Sequence, residues 1–335
     1  MKAVAYRQSL PIGESESLLD VTLPEPTPGP RDLRVRVQAI SVNPVDTKVR
    51  MRAAPPPGEH KVLGWDAAGI VESVGEQVSL FKPGDRVWYA GAITRPGSNA
   101  ELQCVDERIV GHMPQSLSFA QAAALPLTTI TAWELLFDRL EVTAQTQGAL
   151  MIVGAAGGVG SILTQLARQL TSLTVVGTAS RPETQAWVRE LGAHHVIDHG
   201  QPLSAELQRI GVPNVTHVAS LTQTDRHYAE IVKSLAPQGR LGLIDDPTQP
   251  LDVMALKGKS LSLRWELMFT RSMFQTPDMQ AQHELLNRVA QLVDEGRIRT
   301  TLGEHFGVIN AANLRRAHAF IESGAARGKV VLEGF

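Results

Sequence analysis

Gly148-Ala149-Leu150-Met151-Ile152-Val153-Gly154-Ala155-Ala156-Gly157-Gly158-Val159-Gly160 is the stretch that decides how the rest of the chain is read. Leu150–Val153 is a short apolar run rich in branched side chains, the pattern of a strand buried on both faces. A glycine cluster follows at once, and Ser161–Leu170 then sets Ile162, Leu163, Leu166, Ala167 and Leu170 on one side of a helix. Thr174–Thr178 is a second buried-strand run, so strand, glycine turn, helix and strand form a βαβ unit. A dinucleotide fingerprint needs a tight turn, a glycine where backbone approaches pyrophosphate, and another where helix packs on strand. Gly157 and Gly160 fit the second and third roles, while Ala155 stands where the first glycine usually does. The helix N-terminus at Gly158–Ser161 would face phosphates with free N–H groups and a positive dipole end. Ala156, Gly157, Gly158 and Val159 are therefore the expected cradle. The alternative is a glycine-rich turn in some other α/β protein.

The position that separates NAD from NADP comes roughly 20 residues further on, where NAD sites place an acid against the ribose 2′-hydroxyl. Here the chain has Thr178-Ala179-Ser180-Arg181, with no acid until Glu183. A hydroxyl beside a guanidinium suits a 2′-phosphate, so NADP is expected over NAD. Ser180-Arg181-Pro182-Glu183 also reads as a capping box with Ser180 as N-cap, which leaves Arg181 free for the phosphate.

Strands and helices continue to alternate outward from this unit to about residue 250. Pro182–Leu191, Ser204–Ile210 and Asp225–Leu235 read as helices; Val196–Ile197, Val215–Ala219 and Arg240–Ile244 read as strands. That alternation predicts a doubly wound parallel sheet, a Rossmann domain, with right-handed crossovers. Ser260–Leu263 is a last strand, followed by the apolar segment Trp265, Met268, Phe269, Met273 and Phe274, read as core or dimer interface, and by a helix at Asp278–Glu295. Upstream the character differs. Lys2–Tyr6 and Leu33–Ile40 alternate in period two, Pro24, Pro26, Pro28 and Pro30 forbid helix, and Ala68–Val74 and Arg86–Tyr89 are further strands. The closing strand Lys329–Leu332 is expected to rejoin this β-rich domain, giving a discontinuous domain of residues 1–122 and 298–335 around a nucleotide domain of residues 123–297.

The 335 residues carry 32 basic and 34 acidic side chains, net −2, which gives no field for nucleic acid or an acidic membrane surface. No 18-residue apolar run and no signal-like N-terminus occurs, so a cytoplasmic protein is expected. One cysteine, Cys104, excludes a disulfide framework and any cysteine-cluster metal site.

Taken together, Ser41-Val42-Asn43-Pro44-Val45-Asp46, Gly64-Trp65-Asp66-Ala67-Ala68-Gly69-Ile70-Val71, Lys82-Pro83-Gly84-Asp85-Arg86-Val87, Gly154–Gly160 and Gly328-Lys329-Val330-Val331-Leu332 resemble the medium-chain dehydrogenase/reductase superfamily. The likeness is to its zinc-free quinone oxidoreductase branch, and in particular to bacterial proteins called zinc-type alcohol dehydrogenase-like. It implies a β-rich GroES-like catalytic domain beside the Rossmann domain. In the family's zinc enzymes a cysteine stands at the place of Asn43, a histidine at Trp65 and a second cysteine near Leu127, so the resemblance implies that no zinc binds here. His195 and His199, four apart on a strand and its following loop, would invite a metal reading, but only Asp198 is near in sequence and a structural or cofactor-adjacent role is preferred.

Hydride addition to a simple ketone makes a localised alkoxide that zinc stabilises. A quinone or α,β-unsaturated carbonyl spreads that charge and needs only hydrogen-bond donors and exclusion of water. The resemblance therefore implies an NADPH-dependent reductase of conjugated carbonyls. It places Asn43 near the nicotinamide as a donor to a developing oxyanion, with an Asn-Pro turn as the alternative. Asp46 is a second catalytic candidate, more a positioner of backbone than an acid. Thr131 falls beside the nicotinamide ribose or the phosphates, His199 against the adenosine, and Lys329 within reach of the cofactor. Lys48 and Tyr89 are further possible proton donors, or solvated and half-buried residues; the proton otherwise comes from water. Alternatives are a 2-enoyl thioester reductase, for which no basic patch is seen, and a nucleotide-binding sensor without catalysis. The resemblance also implies a homodimer paired through the last strand, which would cover an exposed sheet edge.

Overall fold

The computed structural model describes all residues from Met1 to Phe335, and the chain divides into two compact units. The first is Met1–Ile130 with Phe269–Phe335, the second Thr131–Met268.

The first unit begins with β1 (Lys2–Tyr6), β2 (Leu19–Thr22) and β3 (Asp32–Val42), then a helix α1 (Pro44–Arg52). It continues with β4 (Lys61–Val62), β5 (Ala67–Val74), β6 (Arg86–Tyr89), β7 (Leu102–Asp106), β8 (Val110–His112), α2 (Phe119–Ala123) and most of α3 (Pro126–Trp133). The helix α1 is not anticipated by the turn reading of Asn43-Pro44. Proline at its first position has φ already set for a helix, and Asp46 in the first turn favours the positive dipole end.

The second unit opens with a π-helical turn, Glu134–Arg139, that continues α3. Then follow β9 (Ala149–Val153), α4 (Gly158–Leu170), β10 (Thr174–Thr178), α5 (Pro182–Glu190), β11 (His195–Ile197), α6 (Leu203–Arg209), β12 (Val215–Ser220), α7 (Thr224–Ser234), β13 (Leu235–Leu243) and β14 (Ser262–Trp265). The six strands form one all-parallel sheet in the order β11-β10-β9-β12-β13-β14, the doubly wound arrangement that the βαβ alternation predicts. Every residue of β9 is buried, as a central parallel strand requires.

The chain then returns to the first unit through α8 (Thr270–Phe274), α9 (Ala281–Asp294), β15 (Leu302–His305), α10 (Ala311–Glu322) and β16 (Lys329–Glu333). β16 pairs antiparallel with β3, with Val330 opposite Val42, so the closing strand does rejoin the N-terminal sheet. That sheet runs β15-β16-β3-β5-β6-β8 with β7 also on β3, beside a small β2-β1-β4 sheet. The helix α9, expected with the nucleotide domain, packs in the first unit instead. His283 Nδ1 lies 2.6 Å from Val110 O, Asn287 Oδ1 accepts from His112 N at 2.8 Å, and Asp294 accepts from Ser116 N at 2.9 Å. The compact units divide near residues 130 and 268, where the sequence expectation had 122 and 297.

Between α1 and α10 the side chain of Arg50 is fully buried and donates to Glu322 and to the Leu10 carbonyl. His318 on α10 is equally buried, and burial with the nearby Arg50 charge pushes its imidazole down to about 3.

Candidate functional site

In the second unit the turn after β9 takes its positive φ (+85°) at Gly154 rather than at Ala155, which explains why alanine is tolerated where a glycine was expected. Gly154 N donates to Thr178 Oγ1 at 3.1 Å and Ala155 N to Thr178 O at 3.3 Å, tying the turn to the end of β10. A Cβ on Gly160 would sit 2.4 Å from Gly154 O, so α4 packs on the turn only because that position lacks one. A Cβ on Gly157 would meet protein only at 3.5 Å. Gly157 is the N-cap of α4 and has no side chain to cap it, so Gly158, Val159 and Gly160 present first-turn N–H groups with no acceptor inside the helix. Ala156, Gly157, Gly158 and Val159 are all half-buried along this rim. The geometry fits a pyrophosphate.

The 2′-position is arranged differently from the expectation. Arg181, not Ser180, is the N-cap residue of α5, and Thr184 Oγ1 donates to its carbonyl at 2.8 Å. Pro182 fixes the first helical φ and moves the start one residue on, which removes the capping-box role of Ser180 and leaves it exposed. Arg181 is not free: its Nε lies 3.1 Å from Glu183 Oε1. Both side chains are exposed, and such a pair is weak enough to yield to a phosphate dianion. His199 Nδ1 stands 3.1 Å from Thr178 Oγ1. Thr131 is buried on α3.

The first unit holds a buried polar centre made by β3, α1, β5 and β16. Lys329 Nζ lies 3.0 Å from Asp66 Oδ2, donates to Val42 O at 3.1 Å and also bonds Asn43 Oδ1. Asn43 Nδ2 donates to Asp66 Oδ2 at 2.9 Å and to Trp65 O at 3.4 Å, and Leu127 N donates to Asp66 Oδ1 at 2.8 Å. Asp46 accepts from Asn43 N at 2.7 Å and Gly64 N at 3.0 Å. Burial pushes Asp46 up to about 7, against the Asn43 N–H and the Lys329 charge. Burial likewise raises Asp66, while the Lys329 ammonium and the Leu127 N–H pull it back.

The comparisons bear on the family. Residues 29–131 match the alcohol dehydrogenase GroES-like domain and residues 191–332 the zinc-binding dehydrogenase domain. The zinc-type alcohol dehydrogenase-like protein of Staphylococcus aureus is 38% identical over 99% of both chains. The chain is a medium-chain dehydrogenase/reductase. Among solved structures of this superfamily, that of a putative zinc-dependent alcohol dehydrogenase protein from Rhizobium etli is 59% identical with a TM-score of 0.96, covering 100% of this chain and 98% of that one. The quinone oxidoreductase of Escherichia coli complexed with NADPH is 26% identical with a TM-score of 0.84, covering 99% and 100%.

As a dehydrogenase/reductase the chain departs from the zinc pattern in a specific way. Asn43, Trp65 and Leu127, which stand where the zinc enzymes have ligands, do converge around Asp66. They bring an amide, an indole and an apolar side chain, and the ammonium of Lys329 already sits among the oxygens. No three His, Cys, Asp or Glu side chains in the chain are grouped to hold a metal ion. This donor set does not fit zinc.

The same bonds correct two expectations. The Asn43 amide protons are committed to Asp66 and backbone carbonyls, and the residue is 1% exposed, so it is not placed to donate to an oxyanion. Lys329 is 3% exposed with three acceptors around its ammonium, so it braces the first unit rather than reaching out to a cofactor. Asp46 holds backbone, as the positioning reading has it. Tyr89 is fully buried, its phenol pushed up by burial, and is no ready proton donor.

Sequence reasoning gave Asp66 no role, although a carboxylate inside Gly64-Trp65-Asp66-Ala67-Ala68 has to find a partner. It also gave none to Glu134 and Glu266, whose side chains are wholly buried in the second unit, with Arg139 Nε 2.8 Å from Glu266 Oε2. Burial and the neighbouring Glu134 push Glu266 up to about 9. One proton held by the pair balances the single guanidinium. The apolar segment is split: Met268 and Phe269 are buried, while Trp265, Met273 and Phe274 are exposed.

Proposed function

We propose that this oxidoreductase takes NADPH and reduces quinones or other α,β-unsaturated carbonyls without zinc, as a cytoplasmic homodimer. The observation that carries the reading is the Lys329 ammonium among Asn43 Oδ1, Asp66 Oδ2 and Val42 O, where a Lewis acid would have to sit. A fully satisfied ammonium stabilises no localised alkoxide, so the acceptor has to delocalise its own charge.

The bound dihydronicotinamide supplies a hydride. The first-turn N–H groups of Gly158–Gly160 hold the pyrophosphate with Ala156 and Gly157 alongside, Ser180 and Arg181 hold the 2′-phosphate, His199 lies against the adenosine and Thr131 against the nicotinamide ribose. Asn43 and Asp46 are positioning residues that fix the loop from Ser41 to Pro44. Water gives the proton that balances the hydride, yielding a hydroquinone or saturated carbonyl. Dimerisation through β14, an edge strand whose Trp265 is 53% exposed, would cover that edge.

The test is NADPH oxidation followed by absorbance against a panel of quinones, enones and simple ketones. The reading expects turnover of the conjugated acceptors and none of the ketones. NADPH binding without turnover of any acceptor contradicts it.

A further inference from the structure

At the C-terminal edge of the parallel sheet, where doubly wound folds bind ligands, the chain places a second basic cluster besides Arg181. His199 follows β11, and His227 lies in the first turns of α7, which follows β12. Their ring centroids are 5.9 Å apart, edge to face. Thr178 Oγ1 accepts from Gly154 N at 3.1 Å and lies 3.1 Å from His199 Nδ1, which ties that ring to the end of β10. His227 is 5% exposed, and neither of its ring nitrogens bonds to the protein. Its nitrogens are not sealed off inside the fold, so a ligand can reach them.

We infer that His199 and His227, with Arg226, form a proton-coupled anion site that takes the 2′-phosphate of the nucleotide. The inference rests on the NADPH reading above and deepens it, adding His227 and Arg226 to the nucleotide site. The groups facing the pair are few. Asp198 on the loop after β11 favours a charged His199, and Arg226 on α7 disfavours charge on both rings. Glu230, one turn along α7, is engaged by Ser204 of α6 at 2.7 Å. Burial is the largest influence on each ring and holds both below the ordinary imidazole value; for His227 the neighbouring His199 adds to it. Two imidazolium ions beside a guanidinium repel one another unless a multiply charged anion stands among them. A phosphate dianion supplies that charge, so its binding raises the affinity of the rings for protons. NADH, with a hydroxyl at the same place, supplies none. The nucleotide preference therefore sharpens as the medium becomes more acidic.

Dissociation constants for NADPH and NADH, measured between pH 6.5 and 8.5, with calorimetric titrations in two buffers of different protonation heat, test the site. The wild-type protein should take up protons with NADPH but not with NADH. Its NADPH affinity should rise as pH falls, by at most about tenfold per unit for one proton. His227→Asn should reduce the uptake to that of His199 alone, apart from any proton the phosphate itself exchanges, its own second pKa being about 6. Arg226→Gln, which removes a cation from the pair, should move the uptake to higher pH, and it serves as the independent variant should H227N not fold. NADPH preferred over NADH, but with identical pH dependence in wild type and both variants, overturns the site and leaves the NADPH reading standing. NADPH and NADH bound equally at every pH overturns the NADPH reading itself, and this site with it.

Discussion

Lys329 Nζ and Asp66 Oδ2 lie 3.0 Å apart with both side chains shut away from solvent, one on the last strand of the chain and one at the head of β5. The pair joins segments far apart in sequence, and the same ammonium holds Asn43 at the start of α1.

Removing one partner alone leaves a buried charge uncompensated, which costs about 3–5 kcal/mol. Lys329→Met should lower stability by that order in urea unfolding. The double variant with Asp66→Asn should lose less than the sum of the two single losses, because the two residues share one interaction. Additive losses would remove Lys329 from its central place.

The two glycines of the fingerprint should fail differently. Gly160→Ala drives a methyl to within 2.4 Å of the Gly154 carbonyl and should lower the melting temperature. Gly157→Ala meets protein only at 3.5 Å, so stability should hold while nucleotide affinity falls about tenfold, the loss of roughly one charge-assisted hydrogen bond. Thermal melts beside nucleotide titrations separate the two.

His318 makes the protein acid-sensitive. Its folded value, near 3, lies below the unfolded 6.5, so the unfolded chain binds the extra proton and stability falls as pH drops through that window. Between pH 6.5 and 5 this amounts to about 2 kcal/mol. His318→Leu should remove that part of the slope whatever it does to stability at neutral pH; an unchanged slope would show that the imidazole is not what titrates.

Glu266 acts in the opposite sense. Its folded value, about 9, lies above the ordinary 4.5, so the folded state keeps a proton the unfolded chain releases, and stability falls as pH rises across that range. Glu266→Gln mimics the protonated form. It should change the melting temperature little near pH 4.5 and raise it relative to wild type increasingly between pH 6 and 8.5.

The parallel sheet was legible because period and punctuation agree at Leu150–Val153, the glycine turn and Ser161–Leu170; the structure adds one residue to the start of the strand and three to the start of the helix. What escaped depends on long-range partners. Asn43-Pro44 reads locally as a turn, and it starts a helix because Asp46 reaches back to its amide. Ser180 looks like a cap because the box pattern tolerates a one-residue shift, which Pro182 then imposes. The polar centre was half visible: Asn43, Asp46 and Lys329 were each singled out, but that the lysine would use up the asparagine could not be read from residues 286 apart in sequence. His227 and Arg226 sit on an ordinary amphipathic helix, and only the fold brings them to the sheet edge beside His199.

The most direct measurement is the metal content of the purified protein, taken together with NADPH-dependent quinone turnover before and after exhaustive chelation. The account expects no stoichiometric transition metal and unchanged turnover. One metal ion per chain, whose removal abolishes turnover and whose return restores it, would contradict the account at its centre.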